Sequence, residues 1–246
     1  MSIGIPVVNA PNLYVDNLEL SWTSDEVVAI AAGRARNSTD ENDIIVESAL
    51  AVSNIVSGVN GLDTGTVAAS TMYAVYVIGS SYGVVEPAGL LSLASNSAPT
   101  LPEDYDMYRR IGWVLTDSSS DNLLFWQYGS DKTRQYYYDV AIAELAGGSA
   151  TTLTAVDLAT SVPPIATQVL MKVTYTPNGA TDVAEFGPYG GVSTTGVVQF
   201  GYGVAGAQVG MLNLPAALNS SVPTVMYKVT SGDTLSLATV GYADYL

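Results

Sequence analysis

Neither cysteine nor histidine occurs among the 246 residues of this sequence. Without cysteine there are no disulfides, no thiolate metal sites and no thiol nucleophile. Without histidine the commonest general base and the commonest transition-metal ligand are missing. Charge is scarce too: Asp, Glu, Lys and Arg make up 13% of the residues, about half the ordinary share. Only eight residues are basic, and the net charge is −15. Polyanion binding requires Lys and Arg to neutralise phosphates, so neither nucleic acid nor an anionic membrane is an expected partner. Met1–Asn12 has no positive region ahead of an apolar core, which reads as the absence of a signal peptide. No apolar run approaches the ~20 residues that a helical bilayer span needs. A soluble chain made without a targeting segment is expected.

Apolar residues are plentiful, at 48% of the chain, which argues against disorder. A chain this apolar and this poor in charge is expected to hide surface in an assembly, as a homo-oligomer. Its length suits one large β domain or two smaller ones.

The stretch Thr71–Tyr128 holds three strand-like runs, Met72–Ile78, Arg109–Leu115 and Leu123–Tyr128, bounded by Gly, Pro, Ser or Asp. Met72–Ile78 is apolar on both alternating faces, the mark of a strand covered on both sides by a second sheet or a neighbouring subunit. Arg109–Thr116, the turn Asp117–Asn122 and Leu123–Tyr128 read as an antiparallel hairpin. Before it, Asn12–Leu20, Glu26–Ala32, Ile44–Val46 and Ala49–Val56 are strand candidates, while Val84–Ser97 reads as irregular and Ser97–Asp106 is barred from regular pairing by Pro99 and Pro102. Gln135–Leu145 puts Tyr136, Tyr138, Val140 and Ile142 on one face of a strand. Ala146–Ala150 reads as a linker or sub-domain boundary. Beyond it seven short strands, Thr152–Leu158, Gln168–Thr176, Thr181–Phe186, Val197–Tyr202, Ala207–Leu214, Thr224–Thr230 and Leu235–Tyr242, alternate with turn residues. The expected fold is all-β, an antiparallel sandwich or jelly-roll-like arrangement in two packed sub-domains. Residues 1–145 would form the first, with a central hairpin, and residues 146–246 the second.

Candidate chemistry is thin. Asp40, Glu41 and Asp43 with Asn37 and Asn42 offer oxygens for calcium, but the spacing fits no EF-hand loop and a solvated acidic loop is the better reading. Asp117, Asp121 and Asp131 suit turn capping. Glu103, Asp104 and Asp106, beside Tyr105, Tyr108 and Trp113, are the nearest approach to a glycosidase carboxylate pair. No Gly-x-Ser-x-Gly elbow or Ser-x-x-Lys run is present, and the glycine-rich segments Gly187–Gly191 and Gly201–Gly206 lack a phosphate-loop lysine. No catalytic residue, metal or cofactor is expected. Sixteen tyrosines supply rigid amphipathic area suited to sugars or subunit interfaces. The candidates are Tyr105, Tyr108, Trp113, Trp126, Tyr128, Tyr136 and Tyr138, against the alternative that they are core. Arg109 and Arg110 point to opposite strand faces, one expected to pair with Asp104 or Asp106.

The runs GLDTG (Gly61–Gly65), MYAVYVI (Met72–Ile78), PTLP (Pro99–Pro102), RRIG (Arg109–Gly112) and FWQYG (Phe125–Gly129) together resemble a pattern shared by structural proteins of tailed bacteriophages. The resemblance extends more loosely through YYYDV, VPPIAT and FGYGVAGAQVG. It implies a virion component of tail-fibre, head-fibre, decoration or adaptor type, without enzymatic activity, contacting other virion proteins. Appendages of that kind are often trimers. The alternative is a receptor-binding protein that recognises or depolymerises a host surface glycan through its aromatic side chains. Where a host is touched, a loop tip, Asp117–Asn122 or Gly187–Thr195, is expected to make the contact rather than the stretch Thr71–Tyr128.

Overall fold

A computed structural model describes residues 13–95, 97–129, 132–190, 198–201 and 206–246. Among these residues there is no helix; the chain is all-β, built from sheets that are antiparallel except for the β7–β9 pair and do not close into a barrel. Its strands in order are β1 (Val15–Asn17), β2 (Leu20–Ser24), β3 (Val27–Ile30), β4 (Gly33–Arg36), β5 (Asp43–Val46) and β6 (Leu50–Ser53). Then come β7 (Gly61–Leu62), β8 (Met72–Gly79), β9 (Ala88–Leu93), β10 (Met107–Leu115), β11 (Phe125–Tyr128) and β12 (Thr133–Gly148). The remainder are β13 (Thr154–Asp157), β14 (Ala166–Thr176), β15 (Ala184–Pro188), β16 (Val198–Phe200), β17 (Gln208–Pro215), β18 (Ala217–Asn219), β19 (Val222–Val229) and β20 (Thr234–Tyr245).

The first half is organised around β8, in which every residue is buried. It sits between β10 and β9 in the sheet β10-β8-β9-β7. An apolar strand must be covered on both faces, and here the chain supplies both covers. Register places Val75 and Val77 on one face with Gly89 and Gly112. That face meets the small sheets β2-β3-β6 and β1-β4-β5: a Cβ added at Gly89 would lie 2.2 Å from Val52 and 2.9 Å from Ile30. The opposite face, with Tyr76 and Ser92, is tied to the Pro-rich segment. Asp63 accepts hydrogen bonds from the Ser92 hydroxyl at 2.6 Å and the Thr100 N–H at 3.0 Å. Full burial of each Val or Ile in this layer contributes about 1.5–3 kcal/mol.

The second half holds the sheets β11-β12-β20-β14-β17 and β13-β19-β15-β16. Alternation along β14 sends Val169, Met171, Val173 and Tyr175 inward, all buried. Tight inter-sheet contacts are made at glycines: an added Cβ would lie 2.3 Å from Phe200 at Gly210 and 2.5 Å from the Tyr227 hydroxyl at Gly148. The strands expected after residue 150 all form, with the addition of β18. Val197 and Tyr202, at the ends of one of them, lie outside the described residues.

Four expectations fail, each for a stated reason. The expected hairpin reduces to its turn: Thr116 bridges Asn122 and the Leu123 N–H donates to the Leu115 carbonyl at 2.8 Å. Beyond it the strands part, β10 pairing with β8 and β11 with β12. β10 is buried on both faces over its last five residues, whereas β11 alternates Phe125 in and Trp126 out. Val84–Ser97 contains a strand, β9, whose Gly89 is imposed by close packing and does not break the chain. The opening segment splits at Asn17 and Leu18, both at positive φ (61° and 59°), into β1 and β2. Finally, Ala146–Ala150 is no linker. β12 runs to Gly148 and pairs with β20 from Thr133 to Gly148, so one sheet carries residues from both halves. Within β12 the shared face ends after Tyr138: the register shifts between Tyr137 and Ile142, and Val140 is exposed.

Candidate functional site

The shared sheet has two unlike faces. Its inward face closes the junction with the β8 layer. Trp113 donates its indole N–H to Asp244 at 2.6 Å, and Gln127 Nε2 donates to the Tyr136 hydroxyl at 2.6 Å. The fully buried Arg134 donates to the backbone carbonyls of Asn17 and of Gly129, the latter at 3.2 Å. Tyr136 stacks on Tyr242 with ring centroids 4.7 Å apart. Burial pushes the Asp244 carboxyl up to about 6, opposed by the Trp113 indole and by the Arg110 and Arg134 guanidiniums. A second, half-buried acid lies further along, where Glu144 accepts from the Ser161 hydroxyl and from Thr239 at 2.8 Å. Burial raises the Glu144 pKa. Trp113, Gln127 and Arg134 thus tie β10, β11 and the β1–β2 segment to the inward face, which holds the halves together.

The outward face is open. Register places Trp126 opposite Tyr137 and Tyr128 opposite Gln135; Gln135 then faces Ala243, which faces Gln168, which faces Pro215. Asn213 lies opposite Leu170, itself opposite Gly241. The outward residues of β11, β20, β14 and β17 carry a single charge, Lys172, and those of β12 from Thr133 to Tyr137 carry none. Tyr128 and Tyr137 meet edge to face at 5.6 Å, beside an open depression of about 450 Å³ bounded by Tyr128, Gln135 and Tyr137. Gln135 and Tyr137 also border a narrow slot of about 60 Å³ that reaches Gln168, Leu170 and Asn213. On the other side of β11 a cleft of about 330 Å³ separates Trp22 from Trp126.

Of the aromatics expected to contact a ligand, Trp126 (47% exposed) and Tyr128 (56%) reach solvent on this face. Trp113, Tyr136 and Tyr138 are buried and cannot meet a sugar. Tyr105 is half-buried, its hydroxyl donating to the Glu86 carbonyl at 2.9 Å, and Tyr108 packs edge-on against Tyr76 at 5.8 Å. The proposed glycosidase acids gather no aromatic site: the Ser81 hydroxyl and N–H engage Asp106 and lower its pKa. The expected ion pair is also absent. Arg109 and Arg110 do point to opposite faces, but Arg109 donates to the Leu13 carbonyl at 3.0 Å and Arg110 lies over the Trp113 ring at 4.9 Å. Arg36 pairs instead with Asp43 at 2.7 Å, and Asn37 Oδ1 caps Glu41 and Asn42, so the acidic loop is locally satisfied. Asp117 caps Ser119 and Asp121. Asp131, residues 191–195 of the second loop tip and 202–205 of the glycine-rich segment lie outside the described residues.

Gln135, Gln168 and Asn213 were not singled out from sequence, and Tyr137 was covered only as part of the run Tyr136–Tyr138. The signal was there in part: amides at the outward positions of alternating strands. Their meeting depends on the order β12-β20-β14-β17, which local patterns do not reveal. The fold and this face define a class, an all-β protein of sandwich type whose open sheet carries almost no charge. No protein-family model matches the chain, and comparison with curated proteins finds no match.

Proposed function

We propose that the chain is a non-enzymatic structural subunit of a particle of the tailed-bacteriophage type, assembled as a homo-oligomer. The observation that carries this reading is the distribution of charge. The last 101 residues contain seven charged side chains, against 24 in the first 145. Of the seven, Asp233 and Asp244 are buried and Glu185 pairs with Lys228 at 3.0 Å. A surface so nearly uncharged is suited to being covered by neighbouring copies. Part of the phage resemblance falls on residues that serve packing, in keeping with a scaffold role. Gly61 lies against the Val56 carbonyl, where an added Cβ would approach to 2.2 Å, and Met72–Ile78 is the buried centre. The acids that would otherwise suggest catalysis make structural hydrogen bonds, Glu144 with Ser161 and Thr239 and Asp244 Oδ2 with the Trp113 indole.

Sedimentation velocity at micromolar concentration tests the proposal, the expected species being a trimer. A monomer across the concentration range removes it. Mass spectrometry of purified particles then checks that the chain is a virion component.

A further inference from the structure

We infer that the open face of the shared sheet binds an uncharged carbohydrate, centred on Tyr128, Tyr137, Gln135, Gln168 and Asn213. The geometry has three parts. First, the edge-to-face pair Tyr128–Tyr137 presents rigid amphipathic surface next to the 450 Å³ depression, a volume in the range of small-ligand sites. Apolar C–H faces of a pyranose ring pack on such surfaces while the hydroxyls stay free to hydrogen-bond.

Second, the amides retain hydrogen-bonding capacity. Asn213 Nδ2 donates to Gln168 Oε1 at 2.9 Å, and the Tyr137 hydroxyl donates to Gln135 Oε1 at 3.4 Å. Those two bonds orient the side chains and leave the Nε2 groups of Gln135 and Gln168 as donors and Asn213 Oδ1 as an acceptor. Among the described residues none of these three atoms has a recorded protein partner. A sugar hydroxyl both donates and accepts, so it matches a mixed row of this kind. A carboxylate or sulfate would use only the donors.

Third, the site is held neutral. An anionic ligand would need a guanidinium or ammonium at the amides, and none lines the depression or the slot. Space is kept open along the central strand. Gly241, where an added Cβ would lie 2.1 Å from the Tyr136 carbonyl oxygen, puts no side chain between Tyr137 and Leu170, and Ala243 puts only a methyl between Gln135 and Gln168. The narrow slot beyond the depression, bordered by Gln168, Leu170 and Asn213, lies within reach of an exocyclic group of a bound sugar.

The full chain applied to an array of neutral and acidic bacterial oligosaccharides tests this site. Retention of neutral glycans is expected, with binding weakened about five- to tenfold in Tyr128→Ala and comparably in Gln168→Ala, both at exposed positions where folding is unaffected. Preference for acidic glycans, absence of signal across the array, or unchanged binding in both variants would overturn the inference. Sedimentation of the same variants separates it from the assembly proposal. If Tyr128→Ala dissociates the oligomer, the face is an interface between copies and the carbohydrate site is refuted. Intact oligomers with lost binding support it.

Discussion

The layer around β8 and the sheet around β20 are both β structure, yet they treat surface in opposite ways. β8 is buried along its whole length and covered on both faces by its own chain. The β20 sheet buries one face and leaves the other open and almost uncharged. Two tryptophans mark the contrast. Trp113 is 2% exposed and hydrogen-bonded across the junction, whereas Trp126 is 47% exposed on the open face. Interior and exterior positions of the same residue type thus perform different tasks, cohesion in one region and contact in the other.

The largest expected effect breaks the closed side of this comparison. Trp113→Ala removes a buried ring and the indole donor to Asp244 Oδ2, so a loss of about 4 kcal/mol or more is expected in urea unfolding. Next is pH. Because burial raises the Asp244 pKa from 3.8 to about 6, the ionised form is disfavoured in the folded chain. The associated stability is fully present below about pH 4 and is lost as pH rises through about 6. The gap converts to about 3 kcal/mol. Unfolding free energy is therefore higher near pH 4 than at pH 7 as far as this group decides it, and Asp244→Asn flattens that difference. Gly241→Ala drives a Cβ onto the Tyr136 carbonyl and is expected to cost about 1–3 kcal/mol through displacement of the β12–β20 seam.

Smaller effects sharpen the open side. Lys228→Ala breaks the half-buried pair with Glu185 for about 1 kcal/mol, measured by denaturant midpoint. Gln168→Glu, at an exposed position, changes stability by less than about 0.5 kcal/mol. The same substitution places a charge on the neutral face, so weaker glycan retention with an unchanged melting temperature is the expected pair of readings.

Much of the second half was legible because its alternation is regular: Val169, Met171, Val173 and Tyr175 point inward as a period of two requires. β9 was not, since Pro87 and Gly89 resemble chain breakers; only the approach of Val52 and Ile30 explains the glycine. In YYYDV the inward residues are Tyr136 and Tyr138, and the residue that faces out is Tyr137. Sequence identified the aromatic weight of that strand without saying which ring contacts solvent, because the answer depends on which side of the sheet is covered. The pairing of β12 with β20 was equally hidden, for it joins segments with no local connection.

That pairing also sets an order of events. Arg134 meets Asp244, and Trp113 bonds to a residue 131 positions away. Until β20 is in place, β12 has one unfilled hydrogen-bonding edge, and so does β14. Contacts of such long range close slowly, and unpaired edges invite the wrong partner meanwhile. The β8 layer draws its strands from a compact span of sequence and has no such wait. Refolding is thus expected in two stages, an early first half and a late insertion of β20, with aggregation concentrated in the interval between them.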